Sequence, residues 1–179
     1  MAEEYLDVVD EEDRVTRRAT FEEVIERKLR RRTVNVLLSK DLNLEEIAIA
    51  KRSANQKSSP GKWHVTAGGH VVSGESYEAA AYRETIEELF GGVPPTRPLG
   101  LRIVARFQND APEKGKFENS ALVTGVYDGI FTPDPKEIET IEWRRTIDVM
   151  EDVDRNPGIY TKTMGIVIPL LRIYMNERL

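Results

Sequence analysis

The chain has 179 residues, 40% of them hydrophobic and 32% charged, with a formal net charge of −5 and no cysteine. Its length suits one domain, and no apolar run approaches the roughly 20 residues that a membrane-spanning helix needs. The negative charge disfavours a nucleic-acid polymer as partner, and the lack of cysteine excludes disulfides, thiolate metal sites and cysteine nucleophiles. The acidic start "MAEEY" lacks the pattern of a secretory signal. We expect one cytoplasmic domain, 1–179, that is a monomer or homodimer.

The first segment, 1–31, has the pattern of a hairpin followed by a helix. "YLDVV" and "RVTRRA" flank a polar turn and predict two paired strands. Thr20 then begins a helix, with Glu23 three residues later as its capping-box partner. Arg30, Arg31 and Arg32 are expected to close that helix, because cations suit a helix C-terminus.

Strands and helices continue to interleave along the rest of the chain. The apolar runs "TVNVLLS" and "EIAIAKR" predict paired strands, and "SANQKSSPGK" predicts a loop. "LGLRIVARFQ", "NSALVTGVYDGIF" and "TIEWRR" predict further strands, and "GIVIPLLRIYMNERL" predicts a terminal helix. Because the regular alternation of a doubly wound sheet is missing, we expect an α/β fold in which helices cover a mixed sheet.

A helix in the middle of the chain carries most of the titratable pattern. Ser76 as N-cap and Gly91 as stop predict that it runs from about Tyr77 to Phe90. Its spacing of 3.6 residues per turn predicts a face on which carboxylates lie among small residues, leaving room for a ligand, and an opposite face in the core. The expected carboxylate face holds Tyr77, Ala80, Ala81, Glu84, Glu87 and Glu88, and the expected core face holds Ala79, Tyr82, Ile86, Leu89 and Phe90.

Three glutamates of this helix, Glu84, Glu87 and Glu88, have a single cation, Arg83, beside them. A solvated acidic face would normally interleave lysines, because like charges at helical spacing cost about 0.2–0.5 kcal/mol per pair. A divalent ion would relieve the repulsion. Oxygen ligands in a chain without cysteine favour Mg²⁺, with Mn²⁺ as the alternative.

The segment 68–91 also contains a spaced pattern of glycine and charged residues. In order, with gaps of five, seven and two residues, the pattern consists of Gly69, Glu75, the pair Arg83 and Glu84, and the pair Glu87 and Glu88. This spacing resembles the signature of the Nudix hydrolase family. Thr85 and Phe90 depart from that signature, which prefers an aliphatic residue and a glycine there.

The resemblance implies a fold and a role for each matched position. Similar proteins form an α/β/α sandwich around a mixed β-sheet, and the signature forms a loop, helix and loop that holds metal against a diphosphate. The implied metal ligands are Glu84, Glu87, Glu88 and the backbone carbonyl of Gly68. Arg83 would orient Glu87, as groups behind a metal ligand do, and Glu75 would fix the loop or pair with Arg83.

A longer stretch, "AKRSANQKSSPGKWHVTAGGHVVSGES", resembles one branch of that family, which includes isopentenyl-diphosphate isomerase and hydrolase-like relatives. The isomerase needs a cysteine where this chain has Gly68, and histidine ligands where it has Arg31 and Arg32. Of the two histidines, only His70 matches an isomerase ligand, and it is equally consistent with a structural loop residue. The resemblance therefore favours a hydrolase over an isomerase.

Further candidate residues lie outside the signature. Glu118 aligns loosely with acidic metal ligands of the same branch, although a surface position at the start of a strand is equally consistent with it. Glu137 and Glu139 are weaker candidates. Three cations, Lys51, Arg52 and Lys57, are candidates for binding phosphate oxygens. Trp63 and Phe107 could stack on a base, but most aromatic residues in such positions belong to the core.

The sequence thus predicts a Mg²⁺-dependent hydrolase of a diphosphate linkage in a nucleoside diphosphate derivative or a similar small metabolite. Arg83 and the signature glutamates would carry the reaction, and Glu84, Glu87 or Glu118 would accept the proton of the attacking water. The alternatives are a non-catalytic nucleotide-binding module and the isomerase.

Overall fold

The computed structural model describes residues 4–178, which form nine strands and four α-helices. In chain order these are β1 (Tyr5–Val9), β2 (Val15–Thr20), α1 (Phe21–Glu26), β3 (Arg31–Ser39), β4 (Glu46–Arg52), β5 (Trp63–His64), β6 (Ala67–His70), α2 (Tyr77–Phe90), β7 (Arg102–Gln108), β8 (Glu118–Val126), β9 (Ile138–Arg145), α3 (Thr146–Arg155) and α4 (Met164–Asn176). The single domain expected over 1–179 includes residues 1–3 and 179, which lie outside the described residues, and it stays a prediction.

The N-terminal segment confirms the predicted hairpin but not the predicted helix end. β1 and β2 pair antiparallel, and the Thr20 hydroxyl accepts a hydrogen bond from the Glu23 amide at 3.2 Å. Helix α1 ends at Glu26, because Lys28 takes a left-handed conformation (φ 54°) and turns the chain away. Arg31 and Arg32 therefore begin strand β3 instead of closing the helix.

The larger sheet has seven strands and is mixed. Its main order is β5-β4-β3-β8-β7, with β6 also paired to β3 and β9 to β4, and the β3–β8 pair is parallel. Alternate residues of β3 serve the two faces: Val34 and Val36 pack with α2, whereas Leu37 packs with α3 and α4. The result is the α/β/α sandwich that the sequence predicted.

The larger sheet divides into two groups of strands beyond the turn that joins β3 to β4. Within residues 4–178, β3 and β4 are hydrogen-bonded at one place, where Ser39 lies opposite Ile47. Past that point β3 pairs with β6, while β4 pairs with β5 and β9. A cleft opens between the two groups of strands, and its polar lining consists of Arg52, His64, Thr66, Glu88 and Glu137.

Helix α2 has the predicted limits. The Ser76 hydroxyl accepts a hydrogen bond from the Ala79 amide at 3.2 Å, and Gly91 ends the helix in a left-handed conformation (φ 59°). The buried Thr85 donates its hydroxyl hydrogen to the Ala81 carbonyl at 2.6 Å, so this polar departure from the signature is satisfied inside the helix.

The predicted faces of α2 were partly wrong. Ile86, Leu89 and Phe90 are buried as predicted. Tyr77, Ala80 and Ala81 are buried against the sheet, whereas Ala79 and Tyr82 are exposed. The alanines are small because the helix packs closely on β3 and β6, and they do not leave room for a ligand. Glu84 and Glu88 lie at the edge of the buried side.

Helix α3, which the sequence did not predict, follows β9 directly. Its buried residues Val149, Met150 and Val153 join α4 in covering the second face of the sheet. Among residues 4–178, no helix combines the length and apolar character needed to span a bilayer.

Candidate active site

Arg83 is the centre of a hydrogen-bond network that ties α2 to the loop before it. Its guanidinium donates to both carboxylate oxygens of Glu75 at 3.1 and 3.0 Å and to the carbonyl oxygen of His70 at 2.9 Å. The Nη1 atom also donates to Glu84 at 2.8 Å and to Glu87 at 3.3 Å. The carboxylates raise the pKa of Arg83, the hydrogen bonds with Glu75 most of all. Arg83 is thus a permanent cation that fixes three carboxylates.

Gly69 makes space for Glu84. A Cβ atom on Gly69 would lie 2.2 Å from Oε1 of Glu84 and 2.3 Å from its carboxyl carbon. The Glu84 side chain is only 14% exposed. The Glu84 carboxylate is therefore held against the backbone of β6, between Gly69 and Arg83.

Gly68 and Glu88 form the next contact along the cleft. The Gly68 amide donates to Oε2 of Glu88 at 3.3 Å. A Cβ atom on Gly68 would lie 2.6 Å from the carbonyl oxygen of Val34 on the neighbouring strand. The β3 backbone therefore requires glycine at position 68, whatever else the site binds.

Burial and mutual repulsion shift the pKa values of the buried carboxyl groups. Burial raises the pKa of Glu84, against the lowering effect of Arg83. Burial raises the pKa of Glu88 well above its usual range, and the negative charges of Glu84 and Glu137 add to the rise. A site that bound nothing would gain stability by losing these charges.

The opposite wall of the cleft carries Arg52 and Glu137. Arg52 closes the loop 53–62 through hydrogen bonds to the Ser58 carbonyl at 3.0 Å and to the Gln56 side chain at 2.9 Å. Burial lowers the pKa of Arg52, and the charges of Glu88 and Glu137 oppose that change. The cleft thus places one cation opposite the buried carboxylates.

Residues 29–162 match the model of the NUDIX domain family. The chain belongs to the Nudix family. It is 30% identical over 141 residues to an uncharacterized Nudix hydrolase of Yersinia pestis, an alignment that covers 78% of this chain and 72% of the relative. It is also 30% identical over 128 residues to an isopentenyl-diphosphate isomerase of Nocardia farcinica, covering 69% and 70% of the two chains. Both sequence resemblances are thereby confirmed.

The fold is shared with a solved structure. A crystal structure of a Deinococcus radiodurans protein superimposes with a TM-score of 0.71 at 24% identity, covering 92% of this chain and 97% of that one. The Nudix domain and the hydrolase relatives support a pyrophosphohydrolase. The substrate and the metal ion have to be inferred from the geometry of the site.

The Nudix signature residues fit a hard divalent ion. Across residues 4–178, no three His, Asp or Glu side chains already surround a common point. Mg²⁺ does not need such a cage, because it usually keeps several waters and binds one or two carboxylates together with substrate phosphates. Glu84 and Glu88 supply oxygen ligands that repel each other beside the two glycines. The Glu87 side chain is 57% exposed and contacts Arg83 at 3.3 Å.

The three predicted phosphate-binding cations do not lie together in the structure. Arg52 lines the cleft, but Lys51 projects from the other side of β4 and pairs with Glu139 at 2.7 Å. Lys57 is exposed on the loop. The structure places Arg52 alone of the three at the cleft. Trp63 and Phe107 pack against the core beneath α3 and α4, as aromatic residues in such positions usually do.

Glu118 lies apart from the signature glutamates in a buried ion pair. It is 3% exposed, and its Oε1 accepts from Nη2 of Arg31 at 2.8 Å. Its Oε2 contacts Nζ of Lys116 at 2.9 Å and accepts from Asn109 at 3.3 Å. Because both oxygens are already bound by cations or amides, this geometry does not favour Glu118 as a metal ligand or base.

The sequence analysis ranked Glu137 low, named Arg31 only as the residue that replaces an isomerase histidine, and missed Asn35 and His64 as residues near the site. His64 hydrogen-bonds the Thr161 hydroxyl at 2.7 Å, and burial lowers its pKa to about 3, with Arg52 and Lys116 adding to the effect. Burial likewise lowers the pKa of His70 to about 4, helped by Arg31 and Lys116. Both imidazoles are thus neutral near pH 7. No short sequence motif marks these positions, so only the folded structure shows that they lie near the site.

Proposed function

We propose that the protein is a Mg²⁺-dependent hydrolase of a diphosphate linkage in a nucleoside diphosphate derivative or a similar small metabolite. The observation that carries this proposal is the pair of partly buried carboxylates, Glu84 and Glu88, held against Gly68 and Gly69 at a cleft that also presents Arg52. Maintaining two repelling carboxylates in that position costs stability, and a bound cation offsets the cost.

The proposed metal ligands are Glu84, Glu87, Glu88 and the Gly68 carbonyl, with Mg²⁺ as the ion and Mn²⁺ as a substitute. When bound, the ion would polarise phosphoryl oxygens and lower the pKa of a coordinated water. Arg83 orients Glu84 and Glu87 through its hydrogen bonds, and Arg52 meets phosphate oxygens from the opposite wall. Glu84 is our choice as proton acceptor, because Arg83 holds its carboxylate against the backbone at Gly69, beside the proposed metal position.

Two other functions are less well supported. A non-catalytic nucleotide-binding module would not need the complete set of signature carboxylates and the arginine that fixes them. An isomerase of this branch would need a cysteine side chain at position 68, where a Cβ atom would lie 2.6 Å from the Val34 carbonyl oxygen.

We expect turnover to depend on the divalent ion. A panel of nucleoside diphosphate sugars, dinucleoside polyphosphates and other diphosphates should be incubated with Mg²⁺, and the release of phosphate or monophosphate measured. Activity should disappear in excess chelator and return with Mg²⁺ or Mn²⁺, because the carboxylates alone supply no electrophile. Full activity in excess chelator would contradict the metal site, and a protein that cleaves none of the compounds but binds one would support the binding module.

We expect no isomerisation of isopentenyl diphosphate. The reaction protonates one carbon and deprotonates another, so it needs an acid beside the hydrocarbon tail, and Gly68 offers no side chain there. Proton NMR with Mg²⁺ present should show no allylic product from the native chain. Gly68→Cys should not create the activity, since its Cβ would press on β3 and the histidine ligands are absent. Allylic product from the unmodified protein would make the isomerase the first choice.

A further inference from the structure

A row of polar side chains lies on the face of β3 that is turned away from α2. Arg31, Thr33 and Asn35 alternate along that face, which continues into the apolar core at Leu37. Their register partners are Glu118 and Ser120 on β8, and His70 and Gly68 on β6. We call Arg31, Thr33, Asn35, His70, Glu118 and Ser120 the polar strip.

Polar residues are unusual at these positions. β3 has a hydrogen-bonded neighbour on each side, β6 and β8, and such interior strands are normally apolar on both faces. Arg31 is 6% exposed and Asn35 is 5% exposed. Burying polar groups costs free energy unless each finds a partner.

Part of the polar strip is internally satisfied. The Arg31 guanidinium pairs with Glu118 at 2.8 Å, and the hydroxyls of Thr33 and Ser120 share a hydrogen bond of 2.6 Å. Lys116, whose side chain is 35% exposed, adds a second cation to Glu118 at 2.9 Å. Two cations thus face one carboxylate, which leaves this end of the strip net positive.

Two buried donors in the strip remain unsatisfied. Within the described part of the chain, Nε of Arg31 and Nδ2 of Asn35 have no hydrogen-bond partner. An unsatisfied buried donor costs about 1–3 kcal/mol, and native proteins contain few of them. A leucine at position 35 would avoid the cost, so the fold does not explain the asparagine.

The two donors lie on one strand, and Asn35 is the one nearer to the candidate metal site. Asn35 is directly opposite Gly68, whose amide binds Glu88. Arg31 is four residues away on the same strand, which corresponds to about 13 Å at roughly 3.3 Å per residue. A ligand extending from the diphosphate position along β3 would pass both donors.

We propose that the polar strip binds the group attached to the diphosphate, and that this group is rich in oxygen acceptors. The position of the diphosphate in this inference rests on the proposed function. Hydroxyl or phosphate oxygens would satisfy Arg31 and Asn35 and suit the net positive end of the strip. A hydrocarbon group would leave both donors unpaired and would remove water from the Arg31–Glu118 pair. Both effects cost binding free energy, and binding sites with buried polar groups reject apolar analogues for this reason.

The test replaces Asn35 by leucine, which has nearly the same size and lacks the donor. Metal-free protein is titrated with ribose 5-phosphate and, separately, with inorganic phosphate, and the melting temperature is measured. Ribose 5-phosphate in several-fold excess over its dissociation constant should raise the melting temperature of the native chain by about 2–4 °C. N35L should melt at the same or a higher temperature without ligand, because an unsatisfied donor has been removed, and should lose most of the ligand-induced rise.

Two further variants make the result specific. The double variant R31M/E118L removes both charges of the buried pair together, so that neither is left alone, and should also lose the ligand response. Asn43→Leu, at an exposed asparagine in the turn after β3, should retain it. An equal rise with inorganic phosphate would identify phosphate as the recognised group, whereas a rise with ribose 5-phosphate alone would identify the hydroxyls.

No rise in the native chain with either ligand, or an undiminished rise in N35L, would overturn the inference. A lower melting temperature of ligand-free N35L would also overturn it, since it would show that Asn35 serves the fold. Because the measurement uses no metal and no turnover, it is independent of the chelator experiment. A chain that cleaves no diphosphate would fail that experiment and still give an Asn35-dependent shift here.

Discussion

Glu88→Gln should lower kcat by roughly 10³-fold, because it removes a negative metal ligand and leaves the shape of the side chain. The fold should survive the change. The substituted side chain still has a carbonyl oxygen to accept the Gly68 hydrogen bond, and the repulsion from Glu84 and Glu137 disappears. Steady-state kinetics with Mg²⁺ on the substrate found in the screen will measure the effect.

The same variant should be more stable than the native chain when metal is absent. The folded-state pKa of Glu88 is raised above its ordinary value of 4.5, so protonation favours the folded state. The advantage of E88Q should therefore be small below pH 4.5, grow as the pH rises towards the folded-state pKa, and level off above it. Chemical denaturation at several pH values will show this trend.

A matched control for Glu88 is available on the same helix. Glu78→Gln changes an exposed carboxylate in the first turn of α2 and should leave kcat unchanged and stability within about 0.5 kcal/mol. Native turnover in E88Q, or an equal loss in E78Q, would mean that the partly buried carboxylates of α2 have no special role.

Gly69→Ala should lower kcat by roughly 10²-fold while keeping the fold, because a displacement of about 1 Å in a catalytic group is enough for a loss of that size. The added methyl would lie 2.2–2.6 Å from the carboxyl atoms of Glu84 and must push that flexible side chain away. Since only the end of a side chain has to move, the melting temperature should change little. Kinetics and thermal denaturation of the same preparation will separate the two effects.

Gly165→Ala provides the comparison for Gly69. Gly165 lies in α4, where a Cβ atom would meet no described atom within 4 Å. Alanine at this helical position should keep native turnover and raise the free energy of unfolding by about 0.4–1 kcal/mol. If G69A keeps native activity, the position of the Glu84 carboxylate does not matter for the reaction.

Local signals in the sequence were sufficient for the signature helix. Ser76 and Gly91 determine its ends through a side-chain cap and a left-handed turn, and both depend on residues next to each other in the chain. The contact between Arg83 and Glu87 follows from spacing on the helix and is present at 3.3 Å. These features need no knowledge of distant residues.

Features that depend on packing were not predictable in the same way. Helical spacing correctly grouped Ala80 and Ala81 with Glu84, but it does not say which side meets the sheet. The end of α1 was misplaced because a lysine, Lys28, takes the left-handed conformation that glycine usually marks. As a result, Arg31 was assigned to a helix end when it belongs to a buried strand.

The sequence did not reveal the partner of Glu118. Arg31 is 87 residues away in sequence, and the two meet because β3 and β8 run parallel in register. Parallel pairing of this kind leaves no local signal. Similarly, Arg52 and Lys51 are adjacent in the chain, yet the alternation of a strand sends one into the cleft and the other to Glu139.

The division of the sheet also bears on how such an enzyme evolves. One group of strands, β3 with β6 and β8, carries α2 and its carboxylates, while β4 with β5 and β9 carries Arg52 and borders Glu137. Within residues 4–178 the two groups share one paired position, Ser39 with Ile47, so substitutions in loops and outer helices can shift one group without breaking the ladders inside either. Selection can then change the width and charge of the wall that carries Arg52 while the wall that carries α2 and its carboxylates is inherited unchanged.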